Sequence, residues 1–136
     1  MNKKDHNIFK DIIENKTFAY KIAEDFHHLA FLDIYPMKIG HTLVIPKKSI
    51  NNIFSMTEKR FLSIMSFCRK VGIALEKTVP CNRIGIFVLG FEVPHVHIHL
   101  IPMDTENDGN FSKKRIFLSK KNFVILSKKI KEHIID

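Results

Sequence analysis

The sequence predicts an α+β domain: an antiparallel five-stranded sheet with one long crossover helix and short helices at the N- and C-terminal ends. Three observations predict it. Five short runs rich in β-branched and aromatic residues are punctuated by Gly, Pro, Asp and Asn. A single long segment, ending near residue 77, repeats its apolar positions at helical spacing. The links within each group of runs are short, which suits antiparallel neighbours, because a parallel pair needs a crossover of about a dozen residues or more.

In chain order, NIFKDIIEN (7–15) reads as a short helix with Ile8, Phe9, Ile12 and Ile13 on one side. TFAYKIAED (17–25) alternates Phe18, Tyr20 and Ile22 and reads as the first strand. HHLAFLDIYP (27–36) is the second, stopping near Pro36; a turn at Gly40 leads into HTLVIPKK (41–48), the third, which ends at Pro46. Ser55 and Glu58 form an S-x-x-E capping box for the long helix, whose inward face is Phe61, Leu62, Met65, Cys68, Gly72 and Leu75. NRIGIFVLGF (82–91) reads as a fourth strand buried on both faces. EVPHVHIHLIP (92–102) is the fifth, closed by Pro102 because proline cannot donate to a ladder. A polar loop (103–114) and a C-terminal helix (119–134) with Phe123, Leu126, Ile130 and Ile134 inward complete the chain.

The length of 136 residues suits a single domain over 1–136, with its core in about 7–102 and a variable loop and helix in 103–136. Hydrophobic residues at 45% and charged residues at 26% are ordinary for a soluble fold. No apolar run approaches the roughly 18 residues that span a membrane, and the N-terminus has charge but no apolar stretch behind it. Cys68 and Cys81 form no C-x-x-C and read as unpaired thiols, so a cytoplasmic protein is expected. The net charge of +8 suits anionic partners such as nucleotides. It is spread along the chain without interleaved aromatics, so nucleic-acid binding is not signalled.

Three of the eight histidines, His95, His97 and His99, stand at every second position. In a strand they would share one face about 6–7 Å apart, with Val96, Ile98 and Leu100 on the other. Three readings are open. A metal site is poorly served by three ligands in a nearly straight row, since tetrahedral Zn²⁺ needs convergence. A structural role needs a hydrogen-bond partner for every buried imidazole. Nucleophilic catalysis suits a neutral imidazole near pH 7: a central histidine attacks, and its neighbours bind the anionic group and protonate the leaving group.

The run His95-Val96-His97-Ile98-His99-Leu100-Ile101 resembles the signature of the histidine-triad (HIT) family, in which histidines alternate with apolar residues. AFLDIYPMKIGHTLVIPKK (30–48) is similar to that family's other recurrent segment, and residues 7–25 to its opening. The resemblance implies a HIT-like fold, usually homodimeric. It implies nucleotidyl hydrolysis or transfer at an α-phosphate, with no cofactor or catalytic metal, most like the purine nucleoside phosphoramidases. The partner it implies is a purine nucleotide such as AMP or an adenylyl conjugate. By position it makes His97 the nucleophile and His99 the contact to phosphate and leaving group. His95 orients its neighbour's ring, and His41 supports the site. Asp33 becomes the ribose carboxylate, and Phe9, Ile12, Phe31, Leu32 and Ile34 the apolar nucleotide-binding wall. A dinucleoside polyphosphate hydrolase, a weakly catalytic nucleotide-binding module and a three-histidine metal enzyme are the alternatives.

The chain departs from the family pattern at three places. Phe91 stands where glutamine is common. Glu92 stands at a nucleotide-binding position often held by serine or threonine, where a carboxylate repels phosphate. Ile84 falls where an asparagine is usual. Asn7 and Lys10 stand near the positions where some relatives carry zinc-binding cysteines, so that zinc site is expected to be absent. The leaving group is unspecified, and 103–117 is the segment expected to influence it.

Overall fold

The computed structural model describes residues 7–135; residues 1–6, part of the N-terminal stretch read as lacking a leader, and residue 136 lie outside the described residues. A short helix α1 (Ile8–Ile13) precedes strands β1 (Lys21–Glu24), β2 (His28–Leu32) and β3 (Thr42–Pro46). Helix α2 (Glu58–Thr78) crosses over to β4 (Arg83–Val88) and β5 (Ile98–Met103), and α3 (Lys120–Glu132) closes the chain. The five strands form one sheet in the order β1-β2-β3-β5-β4, every pairing antiparallel. No described helix is long and apolar enough to cross a membrane.

Side-chain alternation divides the core into two layers. Ala30, Val44, Ile98 and Leu100 face α2 and α3, where Ile64, Phe67, Val71, Leu75, Phe123 and Ile130 complete an apolar layer. Leu29, Phe31, Leu43 and Ile45 face the other way and are covered by Phe9 and Ile12 of α1. Because Leu43 pairs with His99, that second face continues directly into the histidine row. The turn before β3 needs Gly40: its φ of +92° disfavours a side chain, and a Cβ there would come within 2.9 Å of Val79 and 3.0 Å of Pro102.

Several expectations need correction. The cap of α2 is Thr57, whose hydroxyl accepts the Arg60 N–H; Ser55 belongs to a 3₁₀ turn one step earlier, so the S-x-x-E pair forms no capping box. The inward face of α2 is Ile64, Phe67, Cys68, Val71, Ala74 and Leu75, rotated from the predicted stripe, and Leu62 is 57% exposed. Apolar residues lie all around this helix, so two phases fit the sequence and only docking selects one. β4 is not buried on both faces. It is the sheet's edge, with Ile86 55% and Val88 37% exposed, because a continuous apolar run reads the same in a central strand and in an edge strand with an apolar outer surface. Pro102 lies inside β5, opposite Ile84 and two residues beyond the last pairing with β3, where only one neighbouring ladder remains to disturb. β1 is shorter than the expected 17–25, and Phe18 stays outside it.

Candidate active site

The histidine row does not sit on one continuous strand. Only His99 lies within β5; His95 sits in a bend and His97 in the irregular segment that leads into the strand. All three are buried, and His97 and His99 are neighbours with ring centroids 5.2 Å apart. Phe9 of α1 packs against His97 at 4.8 Å and stands nearly perpendicular to His95 at 5.8 Å, between ring centroids. The N-cap of α1 holds it there: Asn7 Oδ1 accepts the Phe9 and Lys10 N–H groups, while its Nδ2 donates to His95 Nδ1.

Fixed backbone groups determine where each ring carries its proton. His97 Nδ1 lies 2.7 Å from the His95 carbonyl oxygen, an acceptor, so Nδ1 is the N–H and Nε2 keeps its lone pair. His95 Nε2 donates to the Pro46 carbonyl at 2.8 Å, which leaves Nδ1 to accept from Asn7. His41 Nδ1 accepts the Met37 N–H at 3.0 Å, so its Nε2 carries the proton and donates across 2.9 Å to His99 Nδ1. His99 then bears its own hydrogen on Nε2. In the neutral rings these contacts leave a free lone pair on His97 Nε2 beside a free N–H on His99 Nε2. Burial, aided by neighbouring positive charge, holds His41 down to about 3 and His99 down to about 4, so both are neutral at neutral pH. Burial also lowers His95.

His97 and His99 open onto a cleft of about 460 Å³. Asp33, Ile34 and Glu92 line it, as do Phe9, Ile12 and Phe31 at its apolar end. Leu32 borders the same cleft but packs in the α2-facing core, because strand alternation turns it away from Phe31. His95 and His41 do not line it. His95 lies on a separate groove with Asn7 and Lys10, and His41 sits behind His99. The ring of His97 is therefore aimed by the backbone carbonyl of His95 rather than by its imidazole.

Asp33 Oδ1 accepts the Tyr35 N–H at 2.9 Å, and Oδ2 stands 3.6 Å from His41 Nε2. Burial pushes this carboxyl above its usual range, opposed by that N–H and by the Arg115 guanidinium. Asp33, His41 and His99 bring ligand atoms within 4.8 Å of one another, close enough for one metal ion. The donor set does not suit one. A cation on His41 Nε2 would drive the ring proton onto Nδ1, against the Met37 N–H.

The HIT domain family model matches residues 14–106. The chain belongs to the HIT family. A HIT-like protein of Borreliella burgdorferi is 39% identical over 115 residues, 79% of this chain and 81% of that one. An adenosine 5'-monophosphoramidase of Schizosaccharomyces pombe is 35% identical over 104 residues, 75% of this chain and 77% of its own. The crystal structure of a HIT-like protein from Bartonella henselae superposes with a TM-score of 0.80 at 27% identity, covering 95% of this chain and 97% of that one.

Within this HIT domain the positions that depart from the family pattern fall unequally. Phe91 is 93% exposed, whereas Glu92 lines the cleft. Ile84 faces the groove between α2 and β4, away from the histidines. The β4 residue across from His99 is Phe87, and Phe111 packs on both, 5.4 Å from Phe87 and 5.0 Å from His99. Phe111, Arg115, Phe18 and Tyr35 at the site were not singled out from sequence. Phe18 alternates with Tyr20 and Ile22 as a strand residue would, and nothing local marks residue 111 or 115 as neighbours of residue 99.

Proposed function

We propose that this protein is a nucleotidyl hydrolase or transferase acting at the α-phosphate of purine nucleotide conjugates, with phosphoramidase-like chemistry. The observation that carries the reading is the paired protonation pattern: a lone pair on His97 Nε2 beside an N–H on His99 Nε2, opening onto one cleft. In this reading His97 Nε2 attacks the α-phosphorus. The bond from phosphorus to the leaving nitrogen or oxygen breaks, and the departing group leaves protonated by His99. Water then attacks the nucleotidyl-His97, returns a proton to His99 Nε2, breaks the phosphorus–nitrogen bond to His97 and releases the nucleoside monophosphate. The His95 carbonyl stays bonded to His97 Nδ1–H and favours the positive charge that develops on the ring. His41 is a positioning residue that selects the tautomer of His99.

The apolar walls of Phe9, Ile12 and Phe31 suit a stacked base, and Asp33 suits a ribose diol. The resemblance to an S. pombe phosphoramidase points to adenylyl conjugates as the first substrates to try. The unpaired edge of β4, with Ile86 and Val88 exposed, is where a second copy would add its own sheet, in keeping with the homodimer expected from the family.

The test is intact-protein mass after brief mixing with an adenylyl phosphoramidate at low pH, with His97→Ala alongside. An adenylyl adduct on the parent alone is expected. A second reading, a nucleotide-binding module with weak catalysis, is favoured by Glu92 in the cleft and by the Phe87–Phe111 pair against His99. AMP binding without any adduct would support it and reject the catalytic reading. Turnover that needs an added metal ion would reject both.

A further inference from the structure

The segment between the turn at Glu106–Gly109 and α3 has no regular secondary structure, yet it is fastened across the candidate site. Ile116 N–H bonds to the Pro36 carbonyl at 2.9 Å, and Arg115 Nη1 donates to the Tyr35 carbonyl at 3.0 Å. At the other end of the strap, Phe111 stands edge-on to His99, and the Arg115 guanidinium lies 5.7 Å from the centre of the Phe111 ring. Arg115 also lines the nucleotide cleft and reaches within 3.9 Å of Asp33 Oδ2.

Tyr35 joins the two charged groups. Its N–H binds Asp33 Oδ1 and its carbonyl receives Arg115. Arg115 thus holds the residue whose N–H binds one oxygen of the carboxylate, and its charge faces the other oxygen. At 3.9 Å it is too far for a closed ion pair with Asp33, so Oδ2 keeps acceptor capacity for a ligand. A carboxylate is a useful diol receptor only when it is ionised and rotationally fixed. Burial works against the first of these, since it favours the protonated form.

We propose that Arg115 is a positioning residue that fixes Asp33 for the ribose hydroxyls and so makes the cleft selective for ribonucleotides over 2′-deoxyribonucleotides. The inference rests on the reading of Asp33 as the ribose carboxylate. It assigns to a strap outside the matched family region, residues 14–106, a role in recognising substrate.

The experiment is calorimetric binding of AMP and 2′-deoxy-AMP to the parent, Asp33→Asn, Arg115→Met and Arg115→Lys proteins, with steady-state turnover of an adenylyl phosphoramidate on each. Circular dichroism verifies that each variant is folded, and Arg115→Lys is the gentler change should Arg115→Met unfold. The parent should prefer AMP. Arg115→Met should weaken AMP about tenfold, the scale of one charge-assisted hydrogen bond, and leave 2′-deoxy-AMP within about twofold. KM should rise while kcat changes by less than about threefold, because the hydrogen bonds that orient His97 and His99 do not involve Arg115. Arg115→Lys should recover part of the loss. An unchanged AMP preference in Arg115→Met would overturn the inference alone, as would equal weakening of both nucleotides. A parent that binds the two equally, with Asp33→Asn harmless, would reject the ribose role of Asp33 and the inference with it.

Discussion

The contact between His41 and His99 makes the sharpest prediction. His41 is 1% exposed and uses both ring nitrogens, accepting from Met37 N–H and donating to His99 Nδ1. His41→Phe fills the space but orphans two buried polar groups. At about 1–3 kcal/mol each, the cost is about 2–6 kcal/mol, out of the roughly 5–15 kcal/mol typical of a domain. It also frees His99 to place its proton on Nδ1, which removes the N–H that faces the cleft. Turnover of an adenylyl phosphoramidate should fall by about 10²–10⁴, the usual worth of a general acid. His41→Gln separates the two effects. Its side-chain amide can still donate toward His99 while leaving Met37 N–H without its acceptor, so stability should fall by about 1–3 kcal/mol with kcat within about tenfold of the parent. Urea denaturation and steady-state kinetics read the two quantities, and nitrogen NMR of His99 reads the tautomer directly. A His99 proton found on Nδ1 in the parent, or full turnover by His41→Phe, would refute the reasoning.

Acid should destabilise the protein earlier than its carboxylates require. His41 and His99 titrate at about 3 and about 4 when folded against 6.5 as reference, so below 6.5 the unfolded chain binds protons that the folded chain refuses. Their contribution is complete above pH 6.5 and is lost as pH falls toward 4 and then 3; urea midpoints from pH 7 to 5 should drop, and drop less steeply in His41→Gln. At the start of α2, Thr57→Ala should cost about 1 kcal/mol by chemical denaturation, whereas Ser55→Ala should stay within about 0.5 kcal/mol. On the same helix, Ile64→Ala should cost about 2–5 kcal/mol, and Leu62→Ala should stay within about 0.5 kcal/mol. The reverse order would mean that the helix docks by the face first expected from its sequence.

Local chemistry determined a good part of this protein. The apolar run of HTLVIPKK, the turn at Gly40 and the apolar face of α3 each follow from a few adjacent residues, and each stands where the sequence places it. His97, His99, Asp33, Phe9 and Phe31 were legible as a set because their spacing matches a family pattern, and all five line one cleft. Tertiary structure decided what local sequence leaves degenerate. It selected the buried phase of α2, placed apolar β4 at an edge, and put Thr57 rather than Ser55 at the cap. It also decided the protonation of the histidines. The tautomer of His97 depends on the carbonyl of His95, that of His41 on the amide of Met37, and that of His99 on His41, 58 residues away. The approach of Arg115 to Tyr35 and Asp33 likewise spans most of the chain. Periodicity records which residues share a face of their own element; which backbone group meets a side chain from another element depends on how the whole chain closes, and that emerges only on folding.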